Sequence, residues 1–250
     1  MALQGYIHQL ESFGCADGPG SRFIIFFSGC PFRCLYCHNP DTWSMTRGKL
    51  YTADELLDEA EGCKDFWGEK GGITVSGGEP LAQIDFLLEL LTKAKGRGIN
   101  TCIDTAGGPF RDEGEWFGKF KSLMEVTDLL LVDIKHIDEE EHKKLVGQTG
   151  RNVLRMLRYL DEIKKPVWIR HVLVPGITDN DEYLARTRDF IRTLHNVERV
   201  EILPYHGLAI SKYKDLGIEY PLEKTESPTQ ERVENAKSIL ECAKYTKWKE

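Results

Sequence analysis

The chain has no run of eighteen apolar residues among its 250, and a helix that crosses a bilayer needs about that many. Its N-terminus, Met-Ala-Leu-Gln-Gly-Tyr-Ile-His-Gln, lacks a basic segment followed by an apolar one, so a soluble, cytoplasmic protein is expected, with no membrane partner. An excess of basic charge is missing too. Lys and Arg number 33 against 40 Asp and Glu, for a net charge of -7 spread along the sequence, which gives nucleic acid no electrostatic footprint. There is no low-complexity linker, and the length suits one sizeable α/β domain over residues 1–250. Seven cysteines are an odd number, unsuited to a disulfide framework. Cys15, Cys63, Cys102 and Cys242 stand alone in the sequence and are expected to be buried thiols.

The most informative absence is a fourth cysteine beside Cys30, Cys34 and Cys37. These three lie in Gly29-Cys-Pro-Phe-Arg-Cys-Leu-Tyr-Cys-His38. Three thiolates hold three corners of a [4Fe-4S] cube and leave one iron open, whereas electron-transfer clusters usually have every iron held by the protein. An open iron implies chemistry at the metal. The competing reading is a binding module in which Cys30, Cys34, Cys37 and His38 close a structural zinc site. Adjacent Cys37 and His38 do not easily occupy two tetrahedral corners.

Short runs of β-branched and apolar residues alternate with helix-period segments six times. Strands are expected at Arg22–Ser28, Gly72–Ser76, Asn100–Asp104, Asp128–Lys135, Val167–Val174 and Val200–Pro204. Thr52-Ala-Asp-Glu55, Ser227-Pro-Thr-Gln230 and Asp179 to Glu182 read as capping boxes that start helices. Ile84, Leu87, Leu88 and Leu91 form one apolar stripe, and Val233, Ala236, Ile239 and Leu240 another. The acids from Asp138 to Glu141 suit a solvated first helical turn at the positive dipole end. Six βα units imply an α/β fold, a partial TIM barrel of (β/α)6 type, with the cysteine loop after the first strand.

In parallel βα architectures reactive groups gather at the C-terminal ends of strands. Polar residues fall there repeatedly: the cysteine loop, Ser76-Gly-Gly-Glu-Pro80, Asp104 with Thr105, Asp133 with Lys135, and Tyr205 with His206. Gly77 and Gly78 allow close approach of backbone to a ligand, and Glu79 can accept from an amine. Asp104, Asp133 and Lys135 interrupt apolar strands and require partners, either one another or a polar ligand or cation. Aspartates around the Thr105 hydroxyl offer hard oxygens, suited to an alkali or alkaline-earth ion. His206 is a candidate ligand-binding residue by position. Asp17-Gly-Pro-Gly-Ser-Arg22 reads as a fixed turn.

The CxxxCxxC spacing with Tyr36 before the last cysteine, followed by Gly77-Gly-Glu-Pro80, resembles the radical S-adenosylmethionine enzymes. Asp17-Gly-Pro-Gly, Leu35-Tyr-Cys-His-Asn39, Asp41-Thr-Trp43, Asp104-Thr105, Val132-Asp-Ile-Lys135, Trp168-Ile-Arg170, Val174-Pro-Gly176 and Leu203-Pro-Tyr-His206 extend the likeness to the activases of glycyl radical enzymes. The resemblance implies that Cys30, Cys34 and Cys37 ligate a [4Fe-4S] cluster whose open iron chelates S-adenosylmethionine. It places Tyr36 and His38 against the adenine side, Gly78 and Glu79 near the methionyl amine, and Asp133, Lys135 and His206 on the cofactor, with Cys37 also among the cofactor-binding residues. Asp104, Thr105, Asp133 and the carbonyl of Leu131 would hold Na+ or K+; Leu131 replaces a methionine there, which a carbonyl ligand tolerates. Beyond the three loop cysteines only Cys63 lies between the first two predicted strands, so no ferredoxin-like insertion is expected, and pyruvate formate-lyase is favoured as the protein substrate. Reduced flavodoxin or ferredoxin is the implied reductant. The alternatives within the superfamily are an enzyme acting on a small molecule and an activase of another glycyl radical enzyme.

Overall fold

The computed structural model describes residues 2–249. In chain order the elements are β1 (Gln4–Gly14), β2 (Arg22–Phe27), β3 (Lys49–Thr52), α1 (Ala53–Glu61), β4 (Gly72–Gly77), α2 (Ile84–Gly96), β5 (Asn100–Thr105), α3 (Gly114–Glu125) and β6 (Leu129–Asp133). They continue with α4 (Glu139–Val146), α5 (Arg151–Glu162), β7 (Val167–Leu173), α6 (Asp181–Ile191), β8 (Val197–Pro204), α7 (Ile210–Leu216) and α8 (Gln230–Ile239). The strands follow the order β3-β1-β2-β4-β5-β6-β7-β8. All six expected strands are present as β2 and β4 to β8, each followed by at least one helix, which gives the six βα units of the partial-barrel class. Among the described residues no helix is long and apolar enough to cross a membrane.

The chain divides into two compact units: residues 1–31 with 42–131, and residues 32–41 with 132–250. In the first, β2 pairs in parallel with β4, and β4 with β5. Their residues are buried almost throughout because both faces of a parallel sheet are covered. Antiparallel β1 and β3 were not expected, so the cysteine loop follows the second strand of the chain rather than its first. β1 alternates buried and part-exposed positions and its pairing with β2 contains register shifts, while β3 is four part-exposed residues. Neither carries the unbroken apolar run that marks the other strands.

Helix α1 begins with the expected capping box, Thr52 and Glu55 each serving the other's backbone N–H. The buried face of α2 is wider than its predicted stripe, since Phe86, Leu90 and Ala94 join Ile84, Leu87 and Leu91 while Leu88 is half-exposed. It packs against both α1 and α3. The turn before β2 is fixed by buried Arg22, whose guanidinium donates to Pro19 O, Lys70 O, Thr74 Oγ1 and Asn100 Oδ1. Thr74 in turn donates to Asp17 O at 2.6 Å.

In the second unit β7 and β8 pair in parallel, with Trp168 opposite Arg199 and Arg170 opposite Glu201. Asp138 caps α4, and Glu139, Glu140 and Glu141 fill its first turn, as expected. Two caps move by one or two residues: Asn180 rather than Asp179 caps α6, and Thr229 rather than Ser227 caps α8. In each case two capping residues lie close together, and the helix uses the one nearer its buried stripe. Of the isolated cysteines only Cys102 is buried; Cys15 is exposed, and Cys63 and Cys242 are half-buried. Cys15 follows the last residue of the partly exposed β1, which offers no core to receive it.

Candidate active site

The first unit supplies the loops after β4 and β5. Gly77 has φ of +109°, and an ideal Cβ there would stand 2.5 Å from the backbone of Phe27; on Gly78 it would lie 2.4 Å from Gly29 O. Only glycine fits either position. Gly78 N donates to Phe27 O at 2.9 Å and Glu79 N to Gly29 O at 2.8 Å, so the paired glycines serve close contact between backbones. The Glu79 carboxylate is 1% exposed. It accepts from Thr105 Oγ1 at 2.5 Å, Ala106 N at 3.0 Å and Leu81 N at 3.2 Å. Ser76 Oγ donates to Asp104 Oδ2 at 2.7 Å. Glu79 therefore ties the loop after β4 to the loop after β5, and its carboxylate is occupied by protein donors.

Burial pushes Glu79 up to about 7, against the pull of Thr105, Leu81 and Ala106. A carboxyl whose pKa rises on folding binds its proton more tightly in the folded state. Its contribution is largest below the unfolded value near 4.5 and is lost as pH climbs through about 7. Wild-type protein is expected to lose on the order of 3 kcal/mol across that window. Glu79→Gln should flatten the slope in urea unfolding measured from pH 4.5 to 7.5. It should also lower stability at pH 5 by about 1–3 kcal/mol, because the amide sets two N–H hydrogens among the three donors where the protonated carboxyl sets one O–H.

The second unit holds Tyr36, His38, Asp133, Lys135, Arg170 and His206. Lys135 Nζ lies 2.8 Å from Asp133 Oδ2, and Arg170 Nε lies 3.3 Å from Asp133 Oδ1. Burial pushes the Asp133 carboxyl upward, but Lys135 and Arg170 outweigh it and hold the group below the usual carboxylate range. Lys135 is raised well above its ordinary value because Asp133 outweighs burial. Its ammonium also stands 5.5 Å from the centre of the Tyr36 ring. The column continues across the sheet: Arg170 faces Glu201, and Arg199 pairs with Glu201 at 2.6 Å and stacks 4.8 Å from Trp168. Lys135, Asp133, Arg170, Glu201 and Arg199 thus alternate in sign.

The segment around Cys34 and Cys37 is clasped on two sides. Arg33 N donates to Val146 O at 2.9 Å and Leu35 N to Leu145 O at 3.0 Å, at the end of α4. On the other side the His38 ring lies 4.3 Å from that of His206, with His38 Nε2 3.2 Å from His206 O. Burial and the neighbouring His206 lower the pKa of His38. Burial pushes the Cys34 thiol up to about 11, although Lys135 opposes this.

Cys30, Cys34 and Cys37 are all free of disulfides and half-buried, on one loop between β2 and β3. That donor set fits a [4Fe-4S] cluster: soft sulfur ligands, access from solvent, and a metal charge that deprotonates even a thiol raised by burial. Among the described residues no three His, Cys, Asp or Glu side chains are placed to hold a single metal ion. A cube puts each thiolate on a different iron, so its ligands stand farther apart than those of one zinc.

Arg170 and Glu201, which complete the charges around Asp133, lay outside the predicted site. The signal for Arg170 was the one that singled out Asp133, a charge inside an apolar strand. Glu201 becomes a partner only through the register of β7 and β8.

The family model of the Radical SAM superfamily matches residues 24–188. The chain is 50% identical over 249 residues to the pyruvate formate-lyase-activating enzyme of Streptococcus mutans, covering 99% of this chain and 95% of that one. It is 48% identical over 242 residues to the pyruvate formate-lyase-activating enzyme of Listeria monocytogenes, covering 96% and 98%. The crystal structure of a domain of the Bacteroides vulgatus pyruvate-formate lyase-activating enzyme superposes with a TM-score of 0.57 at 24% identity, over 70% of this chain and 96% of that one.

Proposed function

This chain belongs to the radical SAM superfamily and, within it, to the pyruvate formate-lyase-activating enzymes, and we propose that it activates pyruvate formate-lyase under anaerobic conditions. When bound, the [4Fe-4S] cluster and S-adenosylmethionine together supply reductive cleavage to methionine and removal of one hydrogen from a glycine α-carbon, leaving a glycyl radical in the partner and 5′-deoxyadenosine. Cys30, Cys34 and Cys37 hold the cluster. The observation that carries this reading is the set of three half-buried thiols, none in a disulfide, on one loop.

The remaining assignments rest on the chemistry of each residue. Lys135 and Asp133 offer a fixed charge pair to the zwitterionic methionyl group, and their mutual neutralisation keeps both ionised despite burial. Tyr36 and His38 flank Cys37 and give an adenine flat surfaces, with His206 stacked on His38. Gly78 and Glu79 meet the methionyl amine through backbone, since the Glu79 carboxylate is already taken. A monovalent cation, Na+ or K+, is assigned to Asp104, Thr105, Asp133 and the Leu131 carbonyl. In support, Thr105 gives its proton to Glu79 and accepts from Gly107 N at 2.9 Å, so its oxygen has one lone pair left to offer. Reduced flavodoxin or ferredoxin supplies the electron, and the chain acts as one radical SAM domain without a ferredoxin-like insertion, in the cytoplasm.

Anaerobic incubation with pyruvate formate-lyase, S-adenosylmethionine and reduced flavodoxin tests the reading by electron paramagnetic resonance. A glycyl signal should appear in step with equimolar 5′-deoxyadenosine. Formation of 5′-deoxyadenosine with no glycyl signal would overturn the assigned substrate.

A further inference from the structure

We propose that Lys212 is a positioning residue for the cysteine loop, holding the stretch just after Cys37 so that the thiols of Cys34 and Cys37 are presented in a fixed arrangement. The proposal rests on the reading that these thiols bind the cluster. Lys212 Nζ donates to Asn39 Oδ1 at 2.8 Å and lies 3.6 Å from Asp41 Oδ2. Asn39 and Asp41 are the second and fourth residues after Cys37.

A lysine fastens a loop only if its own backbone is held, and α7 is. The next residue, Tyr213, is 1% exposed and its ring packs 4.6 Å from that of Tyr220. Tyr220 donates its hydroxyl proton to Tyr205 Oη at 3.0 Å, and Tyr205 donates to Leu222 O at 3.1 Å. Three buried tyrosines therefore anchor the inner face of α7, while Lys212 reaches from the helix to the loop. Gly217, with φ of +67°, ends the helix one turn later. On the far side of the loop, Arg33 and Leu35 are held through backbone N–H groups, which no side-chain change removes. Lys212 is thus a fastener that a substitution can release, and it acts beside the contact of His38 with His206.

The Lys212 side chain is 41% exposed, so its contacts contribute little to overall stability. Their effect should fall on metal retention, because residues that orient ligands without touching the metal change its affinity about 10–100-fold. The test compares wild type, Lys212→Met and Lys212→Arg after anaerobic cluster assembly, timing iron loss to a strong chelator without S-adenosylmethionine. Hydrogen exchange at residues 34–41 and Tm are read in the cluster-free proteins. Lys212→Met should lose iron about tenfold faster, with faster exchange in the loop and an unchanged Tm. Lys212→Arg, which keeps a donor for Asn39, should recover most of the difference. Wild-type rates of iron loss and exchange in Lys212→Met, or faster loss matched by a lowered Tm, would overturn the proposal. If wild type assembles no cluster, the reading of the site fails, and exchange at 34–41 still decides whether Lys212 holds the loop.

Discussion

Replacing Asp133 by alanine is expected to destabilise the cluster-free protein by about 3–5 kcal/mol, because removal of one partner from a buried ion pair strands the other. Asp133 neutralises two cations whose side chains are only 14% and 10% exposed, Lys135 and Arg170. The two are not stranded equally. Arg170 keeps Glu201 opposite it on β8, whereas Lys135 keeps the face of Tyr36 and no carboxylate among the described residues. In wild type Lys135 is raised well above its ordinary value. Its contribution is therefore complete at neutral pH and is lost only in strong base. Without Asp133 burial prevails and the lysine pKa falls below its unfolded value. The unfolded chain then binds more protons than the folded one, so Asp133→Ala protein should gain stability as pH rises from 7 towards 10. Urea unfolding at pH 7 and 9.5 measures both effects. A second variant separates structure from chemistry. Asp133→Leu combined with Lys135→Met removes both charges, and packed apolar replacements for a buried pair are often neutral or better. It should recover most of the lost stability while cleavage of S-adenosylmethionine stays at background. A loss under about 1 kcal/mol in Asp133→Ala would show that the pair is effectively solvated.

The same column shows what the amino-acid sequence discloses and what it withholds. A parallel strand covered on both faces must be apolar throughout, so β2, β4, β5, β6 and β7 are legible as runs, and a charge within one, such as Asp133 or Arg170, stands out. β1 is antiparallel with part-exposed alternate positions, and its polar residues hide it. Partners are less legible than positions. That Glu201 faces Arg170 is a property of sheet register, and Lys212 meets Asn39 across 173 residues of sequence. Glu79 illustrates a different limit. Its place after β4 marked it for a ligand amine, yet the donors nearest its carboxylate are Thr105, Ala106 and Leu81, brought there by the neighbouring loop. The paired glycines before it answer to the crowding of Phe27 and Gly29, which spacing in the chain does not disclose.

Alanine at Cys30, Cys34 or Cys37 should abolish reductive cleavage of S-adenosylmethionine, by more than about 100-fold, since loss of a ligand costs more than loss of a residue that merely orients one. The control follows from the placement of the other thiols. Cys15 is exposed, and Cys63 and Cys242 are half-buried and distant in sequence from the CxxxCxxC loop. Serine at each of these should leave iron content and 5′-deoxyadenosine yield near wild type. Cys102 is buried and lies beneath the turn that Arg22 fixes, with Gly18 close to its sulfur. Serine there should lower stability, because a hydroxyl in that place has to find a partner, without lowering iron bound per folded molecule. The three loop cysteines should differ from all four others in the iron and sulfide retained after anaerobic assembly and gel filtration. Of the three, Cys34 carries a thiol that burial raises to about 11, so it rarely ionises before metal arrives. Cluster assembly in wild type should therefore release protons, and Cys34→Ala should release fewer. Retention of wild-type iron and sulfide by any one of the three alanine variants would remove that residue from the ligand set and, with it, the three-cornered site on which the radical chemistry depends.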